Sequence, residues 1–479
     1  MAWLALCWKM FGQTPPVTRC AMLLLAAFSL LGFFRLARTV ANSTVAACST
    51  LQVAIYPVFF AQSSLAQVDL PAAGLIFWGL ESYLRNRRTL VDARAPWPAL
   101  IWFSLAALAK ETAILVPLAL LLCQALSRIS NISSASHSQP ASDGKQSAVH
   151  PGAEKPSIVR SLALLVPAIP LALWYAYHYA RTGFVFGNPE FFRYNVQQTM
   201  HPLRILLALL LRIWQTLGYL ELYVLTLACG AAMIFVPIKD AHGDRPRIPL
   251  PGQFTFLTVA IVYLISLSVV GGAVLARYML PIVPLVILVC VSTIWRRLPA
   301  WKPVIAIIVL AFVSALFVNP PYGFSPEDNL AYRDYIRLHQ RAETLLAHRY
   351  PNARVLTAWP ASDELTRPYL GYVAKPMQVL KIEDFSAEQV LSAADARSRF
   401  DVALVFSTKY QPEHTSFDQW RLWQKWKSRY FGFHVDLTPE VAARVLGGRV
   451  VYVDRKPGQW IGIIEVEKIE EASILLHRQ

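Results

Sequence analysis

The stretch WPALIWFSLAALAKETAILVPLALLLCQAL, residues 97–126, decides how this chain is built. It is apolar throughout except for Lys110 and Glu111 near its middle. One transmembrane helix centred there would bury a charged pair in mid-bilayer, at about 2.5–3.5 kcal/mol per charge on insertion scales. Two spans, near 97–109 and 112–127, that turn at Lys110-Glu111 avoid that cost. The turn then leaves two ionisable groups at one face of a membrane.

Comparable apolar runs recur near 20–34, 44–61, 70–84, 159–178, 216–237, 254–275, 279–295 and 303–318. With the hairpin they predict a polytopic α-helical membrane bundle of about ten spans, since roughly 20 residues cross 30 Å of hydrocarbon. Of the 479 residues, 55% are hydrophobic and 16% charged, and mean hydropathy is +0.40, which is too apolar for a soluble globular chain. The net charge of +15 does not signal nucleic acid, because Lys and Arg fall in short clusters between apolar runs and build no basic face interleaved with aromatics. Cys7, Cys20, Cys48, Cys123, Cys229 and Cys290 are scattered, form no CxxC pair and read as small core hydrophobes.

Orientation follows from the basic clusters. Arg35 with Arg38, Arg85 to Arg88, Arg128 to Arg160, Lys239 to Arg247, and Arg296 to Lys302 occupy every second loop, which makes those loops cytoplasmic. The opposite loops hold Ala61–Asp69, Lys110–Thr112, Arg181–Arg204, Gly271–Tyr278 and everything after Val318. Chemistry is expected on that outer side. Met1 then also lies outside with no cleavable signal behind it, so an upstream span is expected to be missing.

The membrane domain is expected over residues 1–318, with a Ser/Ala/His/Gly-rich disordered cytoplasmic loop at 129–158. After Asn319-Pro320-Pro321 the composition turns soluble. Alternating patterns predict helices at 328–349, 386–397 and 416–430 and strands at 353–358, 401–406, 448–453 and 459–466. Residues 319–479 therefore read as a C-terminal extracytoplasmic α/β domain. With no GxGxxG or Walker pattern, it reads as a lid or recognition domain, and no nucleotide cofactor is expected.

Three outer segments and one helix start carry a family likeness. Pro57-Val-Phe-Phe-Ala-Gln-Ser-Ser-Leu-Ala-Gln-Val-Asp69-Leu-Pro71 precedes an apolar helix and a basic loop. Leu108-Ala-Lys-Glu-Thr112 forms a helix junction, Tyr177-His-Tyr-Ala-Arg-Thr-Gly183 leads to Asn188-Pro-Glu-Phe-Phe-Arg-Tyr-Asn195, and Ala276-Arg-Tyr-Met-Leu-Pro-Ile-Val-Pro284 opens a late span. The set resembles GT-C membrane glycosyltransferases, in particular the protein O-mannosyltransferase and lipid A aminoarabinose transferase group, over most of residues 1–318. The resemblance implies inverting transfer of a hexosyl or pentosyl group from a polyprenyl-phosphate donor to a lipid, polysaccharide or protein acceptor at the outer face of the cell inner membrane. It also implies an acidic residue in a first outer loop. The opening Ala2-Trp-Leu-Ala-Leu-Cys-Trp-Lys-Met-Phe-Gly12 resembles the segment after that loop, so the family's main catalytic carboxylate is expected upstream of Met1. A general base contributes about 10²–10⁴-fold, so the chain as it stands is expected to be nearly inactive in transfer.

Within that frame Asp69 and Glu111 are the catalytic candidates, and Lys110, Arg277 and Tyr278 the donor-phosphate candidates. Asp69 reads equally as an interfacial helix N-cap, because Leu70-Pro71 follow it. Lys110 and Glu111 read also as a local pair in a tight turn. Arg277 suits the charge that develops on a departing phosphate, through its bidentate fork, or it snorkels to headgroups. Arg193 and His201 mark a substrate loop in which an ordinary aromatic belt is the competing reading. His201 has no partner at metal-ligand spacing, and no metal site is assigned, although a divalent cation stays open as a cofactor. A flippase for lipid-linked sugars and a non-catalytic scaffold are the rival functions. The flippase would require internal repeats and discontinuous helices.

Overall fold

The computed structural model of the chain describes residues 2–88, 97–136, 161–185, 199–240, 243–270, 272–412 and 420–467, with backbone alone at 129–136. Two compact units emerge, one built from Met22–Ser314 and the other from Ala2–Ala21 with Ala315 onward.

The chain opens with α1 (Ala2–Phe11) and α2 (Pro15–Val40), followed in the first unit by α3 (Ser43–Ile55), α4 (Pro57–Gln62), α5 (Asp69–Arg88), α6 (Trp97–Ala109) and α7 (Leu115–Ser136). Then come α8 (Ala168–Thr182), α9 (Pro202–Leu217), α10 (Leu222–Ala232), α11 (Leu250–Val269) and α12 (Val283–Arg297), and α13 (Trp301–Phe317) runs on across the unit boundary. Helix α5 packs on α6, α7 on α11, and α3 on α12. Small residues allow the close approach: a Cβ at Gly74 would meet Ser29 and one at Gly79 would meet the Phe103 ring. Among the described residues Pro15–Val40, Glu111–Arg128, Ala163–Thr182 and Leu250–Val269 are long and apolar enough to cross a membrane. Shorter apolar helices such as Ser43–Ile55 and Trp97–Ala109 stand beside them.

Three sequence expectations change here. The run read as one span near 216–237 belongs to a bent pair, α9 and α10, that turns through 76°. Leu220 and Glu221 adopt φ of 48° and 67° at the turn, a left-handed backbone that non-glycine residues rarely hold. The hydropathy pattern hid it, because Leu and Tyr continue straight through the break. Second, the outer loop assigned to Arg181–Arg204 ends early, since α9 already starts at Pro202. Third, α7 extends to Ser136, so the first residues of the stretch expected to be disordered at 129–158 are helical. Extending a nucleated helix costs little. The rest of that stretch lies outside the described residues.

In the second unit α14 (Ala331–Arg349), α15 (Ala361–Thr366), α16 (Ala387–Ala394), α17 (Arg421–Phe431) and α18 (Pro439–Leu446) accompany five strands. These are β1 (Arg354–Thr357), β2 (Gln378–Lys381), β3 (Val402–Phe406), β4 (Gly448–Lys456) and β5 (Gln459–Val466), in spatial order β2-β1-β3-β5-β4. β1 is parallel to β2 and β3, whereas β5 is antiparallel to β3 and β4. Every residue of β3 is buried, as a central strand covered on both faces requires. Val355, Leu356, Leu404, Ile461 and Ile463 form the middle of its core with Leu338 and Leu346 from α14.

Candidate active site

Three irregular helix ends meet in the first unit. Asp69 opens α5 with Pro71 in the first turn, where a fixed φ suits a helix start. Lys110 sits in extended backbone between α6 and a 3₁₀ turn at Glu111–Ile114. Arg277 and Tyr278 lie in a second 3₁₀ turn, Ala276–Met279, and Pro284 in the first turn of α12 follows.

These turns bring the scarce charges together. Lys110 Nζ donates a hydrogen bond to Asp69 Oδ1, and Arg277 Nε stands 3.4 Å from Asp69 Oδ2. The Asp69 side chain is 5% exposed and each cation 14%, so the cluster is nearly dry. Lys110 Nζ lies 3.7 Å above the Tyr278 ring, and the guanidinium carbons of Arg212 and Arg277 lie 5.5 and 5.8 Å from it. Tyr278 thus forms a negative π-face shared by three cations. The carboxylate of Asp69 is taken up by two cations, which favours the cluster reading over the helix-cap reading of this residue.

Glu111 is exposed at the same junction. It touches none of these cations by a described ion pair, yet its charge is felt at Lys110, Tyr175, Tyr263 and Tyr278. Tyr263 of α11, fully enclosed, hydrogen-bonds Thr112 beside it. His201 is exposed at the N-cap position of α9, and Arg193 lies outside the described residues.

The support for Arg277 comes from a helix face of which sequence reading singled out only Arg204, as a residue of the outer loop. Arg204, Ala208, Arg212, Gln215 and Thr216 make a buried stripe along α9. Opposite runs non-helical backbone, whose carbonyls find no ladder partner in an apolar bundle and must be satisfied by side chains. Arg204 donates to the carbonyls of Ser268 (3.4 Å) and Gly272 (3.1 Å). Arg212 donates to Ala273 (3.2 Å) and Leu275 (2.8 Å), Gln215 to Val274 (2.9 Å), and Thr199 to Val269 (3.0 Å). The segment that presents Arg277 is therefore pinned by α9. The spacing 204-208-212-215-216, a polar face inside an apolar run, was the available signal.

Around Tyr278 the cluster holds one negative side chain, Asp69, and three positive ones, Lys110, Arg277 and Arg212, with Glu111 at its exposed edge. Such an excess of buried cationic donors suits an anion with several oxygens, a phosphate above all.

A second set of ionisable side chains was also missed. In the C-terminal unit His339, Glu343 and Glu364 converge in the core. His339 and Glu343 stand four residues apart on α14, a spacing visible in the sequence.

No protein-family model matches the chain, and no curated protein does. Solved structures do. The chain is similar to ArnT from Cupriavidus metallidurans in a crystal structure bound to undecaprenyl phosphate, with TM-score 0.52 and 13% identity, covering 96% of this chain and 86% of that one. The apo state of the same protein gives TM-score 0.51 at 12% identity with the same coverage. The chain thus shares the fold of these ArnT structures, in line with the likeness its sequence motifs carry.

Proposed function

We propose that the chain is a multi-pass GT-C glycosyltransferase of the cell inner membrane that moves a sugar from a polyprenyl-phosphate donor to an acceptor at the outer face. The single observation that carries this is the nearly dry cluster of Asp69, Lys110 and Arg277 around Tyr278, in a fold that in ArnT binds undecaprenyl phosphate.

In this reading Lys110 and Arg277 hold the donor phosphate, and their charges stabilise the negative charge that grows on it as the glycosidic bond breaks. Asp69 fixes both cations in place, and Arg212 supports them through the 273–275 carbonyls. Glu111, exposed at the same edge, is the carboxylate available to take the acceptor's proton. The basic turns support an extracytoplasmic position for these groups and for residues 319–479, and the shorter apolar helices are read as further spans of a bundle of about ten.

The transporter reading draws on the break between α9 and α10, since discontinuous helices line transport sites. Against it, Asp69, Lys110 and Arg277 lie at helix ends and turns.

The test is binding of undecaprenyl phosphate and undecaprenol to the purified chain in lipid nanodiscs. Selective binding of the phosphate, lost on substituting Arg277 and Lys110 together, is the expected result. Equal binding of both lipids would overturn the proposal. Facilitated movement of the phosphate across vesicles, undiminished by that double substitution, would favour the transporter.

A further inference from the structure

The C-terminal unit buries a cluster that the transfer reaction does not use. Helix α14 carries His339 and Glu343 one turn apart, which stacks both side chains on one face. Helix α15 brings Glu364 to the same point. His339 Nδ1 lies 2.7 Å from Glu364 Oε2 and 3.5 Å from Glu343 Oε1. One potential ligand atom from each of the three residues lies within 4.8 Å of the other two. Their exposures are 1%, 0% and 6% in chain order, so bulk water solvates none of them.

Among the described residues, neither oxygen of Glu343 and not Nε2 of His339 has a hydrogen-bond partner. A buried carboxylate without donors costs several kcal/mol unless something neutralises it, and here two carboxylates share one imidazole. Beside them Tyr372 hydrogen-bonds Glu364, and the Tyr335 ring packs 4.3 Å from the His339 ring. The titratable groups beside the trio are phenols, and among the described residues no Lys or Arg pairs with it.

We propose that His339, Glu343 and Glu364 bind one divalent first-row cation of the zinc(II) or manganese(II) class as a structural centre of the C-terminal unit. One imidazole nitrogen and two carboxylate oxygens are donors such ions accept, and two carboxylates cancel a charge of two. Calcium, which takes six to eight oxygen ligands, fits this small mixed set poorly. The ion ties α14 to α15, two helices that flank β1, and supplies the partner that Glu343 lacks.

The full chain, purified in detergent and stripped with chelator, is loaded with zinc sulfate or manganese chloride, dialysed, and assayed for metal per chain and for Tm. The expected result is one retained equivalent, a Tm raised by several degrees on loading, and at least a fivefold loss of retained metal in Glu343→Gln. Absence of a retained equivalent in the wild type, or equal retention by Glu343→Gln and His339→Asn, overturns the proposal. Zinc-edge absorption on the loaded wild type decides the matter even where the variants fold poorly. A shell of one imidazole with carboxylate oxygens supports the site, and a shell with sulfur or several imidazoles overturns it.

Discussion

Replacing Arg277 by Ala removes the one guanidinium that stands 3.4 Å from Asp69 at the edge of the cluster, while Asp69 keeps Lys110. The variant should fold, because one partner of the buried carboxylate remains. Its effect on a bound phosphate follows from distance and exposure. Two unit charges 4 Å apart at an effective dielectric constant of 20 interact by about 4 kcal/mol, and by half of that at twice the separation. Part of this is already spent on Asp69, and a hydrogen bond to a charged group is worth about 1.5–3 kcal/mol net. Undecaprenyl phosphate affinity should therefore fall roughly 10- to 150-fold, at 1.4 kcal/mol per factor of ten. Arg277→Lys keeps the charge but loses the fork, and should fall between wild type and Arg277→Ala. Lys302→Ala, at an exposed position in the opposite basic cluster, is the control and should bind as wild type. The assay is equilibrium binding of fluorescent undecaprenyl phosphate in nanodiscs at fixed salt. An Arg277→Ala affinity within twofold of wild type would refute the assignment of this residue to the phosphate.

Other expectations concern the scaffold. Arg212→Ala strands the carbonyls of Ala273 and Leu275 in the bundle, each at about 1–3 kcal/mol, so its melting temperature in detergent should drop clearly; an unchanged melt would contradict the pinning role. Gly447 has φ of 62° and an added Cβ there meets the Arg397 guanidinium, so Gly447→Ala should cost about 1–3 kcal/mol in denaturant unfolding. In chelator, pH should act through the buried trio. Burial works to lower the His339 pKa, but the negative charges of Glu364 and Glu343 and the hydrogen bond that Nδ1 donates to Glu364 raise it from 6.5 to about 9. The folded state then holds a proton that the unfolded chain gives up, so this stabilisation is full below pH 6.5 and is lost as pH climbs toward 9. Burial raises Glu343 from 4.5 to about 9 and acts in the same direction. Melting temperatures that rise from pH 6.5 to 9 would contradict both shifts.

The parts of the fold that could be read in advance were those where a charge is rare. Lys110-Glu111 interrupts an apolar run, and the helix does break there. Asp69 and Arg277 stood out for the same reason, and the structure sets them against each other. Strand β3 was legible because Asp401-Val-Ala-Leu-Val-Phe406 is a short β-branched run, whereas β2, Gln378–Lys381, has exposed ends and no such signature. What stayed hidden depends on long-range partners. The left-handed turn at Leu220-Glu221 has no glycine at its own positive-φ positions, although Gly218 caps the helix just before it. Arg204 looked like a loop residue and Arg212 drew no assignment, because the backbone carbonyls that satisfy their buried donors lie about sixty residues further on. His339 and Glu343 were in plain view on one helical face, yet only tertiary packing brings Glu364 to them.

Photo-crosslinking with an undecaprenyl phosphate that carries a diazirine beside its phosphate tests the central assignment most directly. Label should concentrate on the peptides that hold Lys110 to Thr112 and Ala276 to Met279, and excess unlabelled undecaprenyl phosphate should remove it. Label spread along lipid-facing helices such as Ala168–Thr182, or left unchanged by the competitor, would contradict it.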